Sequence, residues 1–392
     1  MRPLEGITVV ALEQAVAAPI ATRHLADLGA RVLKVERPDG GDFARAYDDK
    51  VKGLASHFVW LNRSKESVTL DIKTDGGRRV LADLVARADV FLQNLAPGAL
   101  ARLGFDSAGL RQRHPLLITC DMSGYGSAGP YRDKRAYDLL VQCETALVAV
   151  TGPPEQPAKT GVPAADIAAG MYAYSSILAA LFARERTGEG TAIEVSMFDS
   201  LAEWMGYQLY ATRYSGVAPP RSGLSHPTIA PYDAYETADG HSVVLGIQND
   251  REWVRLAEGV LQRPELATDP DFATNRARVA NRARTDAVVA KALKTLTAQE
   301  AVRRLDAAQI ASARLNTVEE FLDHPQLAAR HRWREVDTPA GPIQGLLPVP
   351  VMSGVEMRMD PVPALGEHTD AVLRELGYDD ERIRALHEEQ AV

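Results

Sequence analysis

Asp166 stands out by its surroundings. Residues 159–197 read KTGVPAADIAAGMYAYSSILAALFARERTGEGTAIEVSM, and seventeen uncharged residues separate Asp166 from Arg184. A carboxylate there could do either of two things. As a helix N-cap it would only accept hydrogen bonds from the first free N–H groups of the following helix. As a reactive group it would be a covalent nucleophile, since carboxylates form acyl intermediates. The positive end of the helix would then keep it ionised. The local residues leave both readings open.

The elements that must position this carboxylate can be read around it. Gly161 and Pro163 mark a turn ahead of it. A helix of Ala, Ile, Leu, Met and Phe follows and is stopped by Gly188 and Gly190. Its Gly, Ser and Tyr residues argue against a membrane span. Ile193, Val195 and Met197 then alternate with polar residues, as in a strand. Upstream, residues 6–12 (GITVVAL) and 31–36 (RVLKVE) read as buried strands. The helix between them has Pro19 in its first turn and Gly29 past its end. This β-α-β opening predicts a parallel sheet. Further strands are expected at 67–72, 89–93 and 116–122, with helices capped by Thr74 and Asp106 between them. The predicted fold class is therefore α/β, a Rossmann-like doubly wound domain.

The first βα turn, EQAVAAP, has no GxGxxG, so neither NAD nor FAD is expected. Ligands of such sheets lie beyond the carboxyl ends of the strands. The loops there and their flanks carry Gln14, Arg37, Asn94 and Arg102, and Lys73 and Arg135 could join them. Singly each reads as a solvated surface residue. Converging on one sheet edge, they would suit an anionic, nucleotide-like ligand.

Beyond Met197 the character changes. Residues 198–215 predict one long helix, and 217–231 a linker or active-site loop rich in Pro, Gly and Ser. Residues 235–246 predict a hairpin around Asp239-Gly240, and 250–261 and 284–310 predict helices. The organisation expected is a large domain over 1–224 and a smaller α+β domain over 225–325. A linker and two closing helices over 326–392 would return to the large domain.

Totals bound the function. The 392 residues carry a net charge of −8, which disfavours nucleic acid as a partner. Cys120 and Cys143 lack CxxC spacing and are expected to be buried and reduced, as in a cytoplasmic protein. Glu5 and Glu13 interrupt the first apolar run, so it is not read as a signal peptide. No membrane partner and no metal are expected.

Several stretches together resemble the class III CoA-transferases, the family of formyl-CoA transferase and carnitine CoA-transferase, whose superfamily includes alpha-methylacyl-CoA racemase. They are DLGARVLKVERPDGGDFAR (27–45), NRSKESVTLDIKTDGGRRVL (62–81), ADVFLQNLAPGALARLGF (88–105), SGYGSAGPY (123–131), YDLLVQ (137–142), GVPAADIAAGMYA (161–173), RTGEGTAIEVSMFDS (186–200) and LGEHTDAVLRELGYD (365–379). The resemblance covers nearly the whole chain. It implies that Asp166 is the catalytic aspartate, passing through a mixed anhydride and an aspartyl-CoA thioester. It implies coenzyme A or acyl-CoA as substrate, with no tightly bound cofactor, and an interlocked homodimer.

By the same resemblance CoA would meet Val16, Ala17, Arg37, Leu70, Lys73, Asn94, Leu95, Arg102, Arg135, Tyr137 and Met197. Val16 departs from the family pattern, since formyl-CoA transferase has glutamine there, and RSGLSHP (221–227) replaces that enzyme's run of glycines. Tyr137 stands where racemases place a histidine, which favours transfer over racemisation, and Asp166 within GVPAADIAAG weighs against a non-catalytic CoA-binding role. EQAVAAP (13–19), HFVWLNRSKES (57–67), GLSHPTIAPY (223–232) and GIQNDREW (246–253) resemble the mesaconyl-CoA C1–C4 and dicarboxylate branch. A dicarboxylate acid needs a cation for its second carboxylate, and Arg221 and His226 are the candidates.

Overall fold

A computed structural model describes residues 1–392. The chain forms two compact units. The first comprises Met1–Leu147, Thr160–Tyr207 and Leu327–Val392, and the second Val148–Lys159 and Gln208–Gln326. The second unit thus takes in chain on both sides of the central segment. It also begins before residue 225, where the sequence places the boundary.

The first unit is built on six strands, β1 (Thr8–Leu12), β2 (Arg31–Glu36), β3 (Lys65–Thr69), β4 (Val90–Gln93), β5 (Ile118–Ser123) and β6 (Ala192–Ser196). All pairs are parallel and the spatial order is β3-β2-β1-β4-β5-β6. The order reverses between β1 and β4, the place where doubly wound sheets open a ligand crevice. Both faces of the sheet are covered, and alternation along β1 shows how. Val9 and Ala11 join one core with the helix Ala17–Asp27 and the helix Ala164–Thr187. Val10 and Leu12 join the other, with Asp75–Ala86 and the closing helices Thr369–Leu376 and Asp380–Glu388. Thr74 and Asp106 cap their helices as the sequence predicts.

Helix Ala164–Thr187 is the central helix of this unit. Over an 18-residue window its mean hydropathy is 1.3, so by length and composition it would pass for a membrane span, contrary to the sequence reading. Its packing identifies a core helix instead. Ala165, Ala169, Ala173 and Ile177 are buried with Ala17, Ala18 and Ala21 of the first helix. The crossing is close because the residues are small. A Cβ on Gly170 would lie 2.1 Å from the Ile20 Cγ2 and 2.5 Å from the Ala17 carbonyl oxygen.

The second unit holds an antiparallel sheet of β7 (Tyr232–Glu236), β8 (Ser242–Gly246) and β9 (Ser312–Arg314). The hairpin turns at Asp239-Gly240, as expected, with φ of +81° at Gly240. Helices Asp250–Gly259, Arg282–Leu293 and Ala298–Ala307 bury Trp253, Val289 and Leu305 against it.

Three local expectations are corrected. The helix expected over 198–215 breaks at Met205 into Met197–Trp204 and Gly206–Ser215, where Gly206 lowers helix propensity. The extended run from 339 contains β11 (Ile343–Leu346), which pairs with β10 (Trp333–Val336). Cys120 is buried, but Cys143 is exposed, because the short helix Asp138–Glu144 buries only Val141 and Gln142.

Candidate active site

The carboxyl end of β1 leads into residues 13–16, and this turn is fixed from several directions. The Asn94 amide clips Gln14 at both backbone atoms, with Gln14 N–H donating to Oδ1 and Nδ2 donating to Gln14 O, each 2.9 Å. Ala15 has φ of +62°, a conformation costly for a residue with a Cβ. Its N–H donates to Asp42 Oδ1 at 3.0 Å, which helps hold it there.

Glu13 is fully buried. Its carboxylate accepts from Lys65 Nζ at 2.6 Å, from Lys34 Nζ at 3.4 Å and from the Thr22 hydroxyl. Lys34 Nζ also donates to Asp42 Oδ2 at 2.8 Å. Two carboxylates and two ammonium groups are thus buried together. Removing one partner would leave an uncompensated charge. Burial pushes the Lys65 ammonium down to about 8.

This turn delivers Val16 and Ala17 to the start of the first helix. Val16 packs with Ile20 and Leu61, and Ile167 of the central helix seats on that cluster. Asp166 therefore emerges beside the first βα turn. It is the third residue of the central helix and not its N-cap, a position held by Pro163 without any side-chain acceptor. The acceptor comes from elsewhere. Asp138 Oδ1 takes the Ala165 N–H at 2.8 Å and lies 3.4 Å from the Asp166 nitrogen.

The electrostatic outcome reverses the sequence expectation. Burial, and then the like charge of Asp138, push the Asp166 carboxyl up to about 7. The helix end does not keep it ionised: burial outweighs it, and a different carboxylate occupies the N–H groups there. The Tyr47 hydroxyl faces the same region, and burial together with Asp42, Asp166 and Tyr137 pushes it up to about 12.

The other expected contact residues fall into groups. Arg37, Leu70 and Leu95 line one small cavity with Gln14 and Asp42 at the carboxyl ends of β1 and β2. A larger cavity of about 360 Å³ shares Leu95 and continues along the ends of β4 and β5. Met197 is buried in the core that also holds Ala164 and Ala165, just ahead of Asp166. Tyr137, 67% exposed, is the N-cap residue of the helix that starts with Asp138. Lys73, Arg102 and Arg135 are exposed and line neither cavity.

Within the second unit, Arg221 donates to the carbonyls of Ala149, Pro153 and Pro154. One N–H remains on each terminal nitrogen. The His226 ring stacks on Tyr232 at 5.4 Å, and its Nδ1 accepts from Thr228 N–H at 3.2 Å.

Sequence reasoning missed Asp138, Tyr47 and the Glu13–Lys34–Lys65–Asp42 network. Asp138 had a signal, an acid at the start of a helix in YDLLVQ. The buried lysines had none, because charged residues in strands read as solvent-facing.

Comparison with known proteins gives the class. The model of CoA-transferase family III matches residues 4–369. The chain is 36% identical to a succinate–glutarate CoA-transferase of Agrobacterium fabrum, over 95% of this chain and 96% of that one. It is 33% identical to a succinyl-CoA:mesaconate CoA-transferase of Haloarcula marismortui, over 97% and 98%. A CaiB/BaiF family protein of Brucella suis has the same fold, with a TM-score of 0.86, 35% identity and coverage of 96% and 99%. The chain belongs to CoA-transferase family III and is an enzyme that uses CoA thioesters as substrates.

Proposed function

We propose that the protein moves CoA between an acyl-CoA and a small dicarboxylic acid, of succinyl, mesaconyl or itaconyl type, with Asp166 as the nucleophile. The observation that carries this reading is a partly buried carboxylate on the first turn of the central helix, held up to about 7 beside the first βα turn. It is more basic than an ordinary aspartate, and its ionised form is the better nucleophile for it.

The reaction divides into balanced steps. An Asp166 oxygen attacks the thioester carbon. The C–O bond forms, the C–S bond breaks, and the electron pair leaves on sulfur as CoA thiolate. The product is a mixed anhydride. The thiolate attacks the aspartyl carbonyl and expels the donor acid, leaving an aspartyl-CoA thioester. The acceptor carboxylate attacks that carbonyl and releases thiolate. The thiolate then attacks the new acyl carbon, forming acceptor-CoA and freeing Asp166. Anhydrides hydrolyse, so water must be excluded, and the Val16, Ile20, Leu61 and Ile167 cluster provides an apolar wall.

The dicarboxylate assignment rests on the substrates named for the two relatives. Arg221 retains donors for a second carboxylate, and His226 keeps Nε2. Along the CoA path, Val16, Ala17, Arg37, Leu70, Asn94 and Leu95 act from the turn and the two cavities, and Met197 from the core just ahead of Asp166. Lys73, Arg102, Arg135 and Tyr137 act from exposed positions.

The protein works as a homodimer in this reading. The central helix and the helix Asp138–Glu144 turn Phe182, Met171, Tyr172, Leu139 and Leu140 outward, a face that a second copy would cover.

A donor and acceptor panel tests the substrate class. Succinyl-CoA with glutarate, mesaconate or itaconate should give the new thioester, and acetate or butyrate should not. Transfer to monocarboxylates alone would overturn the assignment. Exchange of an α-proton with deuterated water, in the absence of any acceptor, would point to a racemase instead.

A further inference from the structure

We propose that Asp138 is a positioning residue for Asp166: it occupies the open N–H groups at the start of the central helix with a negative charge and so makes the neighbouring carboxyl more basic. The inference rests on Asp166 being the nucleophile. A helix begins with unpaired N–H groups that stabilise any nearby carboxylate. Here Pro163 offers no side-chain acceptor. Asp138 takes the Ala165 N–H at 2.8 Å and stands 3.4 Å from the Asp166 nitrogen.

Asp138 is itself held. Its second oxygen accepts from Gln142 Nε2 at 2.6 Å. The Gln142 side chain is buried, and its Oε1 accepts from Thr160 N–H at 3.2 Å. Both Asp138 oxygens thus accept from donors that hold the side chain in place. Asp166 therefore has a second negative charge beside it and loses the helix end to that charge.

The other groups around Asp166 do not offset this. The Tyr47 hydroxyl lies within electrostatic reach of Asp166, as it does of Asp42 and Tyr137. The first helix and the helix Ser56–Asn62 present apolar Val16, Ile20 and Leu61. Met197 of the helix after β6 is also apolar and lies in the core with Ala164 and Ala165. The raised Asp166 value is consistent with this arrangement, with burial as the larger cause and Asp138 the second.

A purely structural cap would leave the titration of Asp166 where it is, and that separates the two roles. Asp138→Asn keeps an acceptor for Ala165 N–H and removes the charge. Asp138→Ser does the same with a shorter side chain, should the amide disturb Gln142. The titration of Asp166 is read by carboxyl carbon NMR, assigned by its loss in Asp166→Asn, and the acid limb of kcat/KM is measured in parallel. Both variants should titrate about one pH unit lower than the parent, and the acid limb should move with them. An unmoved or raised titration in a folded variant overturns the proposal. Retention of transfer by Asp166→Asn would instead overturn the nucleophile assignment, whatever Asp138 does.

Discussion

A carboxyl held up to about 7 is a cost to the fold. The unfolded chain ionises Asp166 in the ordinary range, near 3.8, and the native protein resists until about 7. Below the lower value both states are protonated and there is no penalty. Between the two values the unfolded state is deprotonated first, so stability falls as pH rises. Above the upper value the penalty is constant, at most about 4 kcal/mol and less where solvent reaches the carboxyl. Asp166→Asn should therefore abolish transfer and raise the melting temperature. The gain should be absent near pH 3, grow from pH 4 to 7 and level above it. A gain that shrinks as pH rises would contradict the assignment. The same residue shows what a sequence can give. Its isolation from other charges was legible in the chain. Its raised value was not, because it depends first on burial in the folded chain and then on Asp138, 28 residues away, reaching the start of the helix.

At the scale of elements, the site depends on how closely the first helix meets the central one. Gly170→Ala tests this. Alanine gains about 1 kcal/mol in helix propensity. Its Cβ would, however, fall on Ile20 and on the Ala17 carbonyl oxygen, well inside contact distance. Backbone cannot move aside as a flexible side chain can, so overpacking should win, with a net loss of about 2 kcal/mol. Chemical denaturation would measure the loss, and KM for acyl-CoA should rise as Val16 and Ala17 shift. A neutral or stabilising Gly170→Ala would show that the crossing is not tight. The succession of strands and helices was readable from apolar runs and caps, notably Thr74, Asp106 and the Asp239-Gly240 turn. β3 was placed two residues late because Lys65 and Glu66 look like surface residues. Their pairing with Val32 and Leu33 and the buried ion network around Lys65 emerge only in three dimensions.

At the scale of the molecule, the sheet order and the family membership agree on a doubly wound α/β unit. The division at Tyr207, and the return of Leu327–Val392 to the first unit, follow from long-range contacts such as Asp71 N–H to the Ala391 carbonyl. Composition could suggest only a boundary near the Pro- and Gly-rich stretch. The exposed Phe182, Met171 and Leu140 lead to an expectation for assembly. Light scattering at micromolar concentration should give twice the 42.5 kDa chain mass, and Phe182→Glu should lower it. A monomer mass for the parent protein would remove the homodimer.

If Asp166 is the nucleophile, it is acylated during transfer. Succinyl-CoA is added without an acceptor, the enzyme is trapped with hydroxylamine, and peptides are read by mass spectrometry. A hydroxamate is expected on the peptide containing Asp166, dependent on succinyl-CoA and absent from Asp166→Asn. An unmodified Asp166 in an enzyme that turns over under the same conditions, or a trapped adduct on another residue, would contradict it.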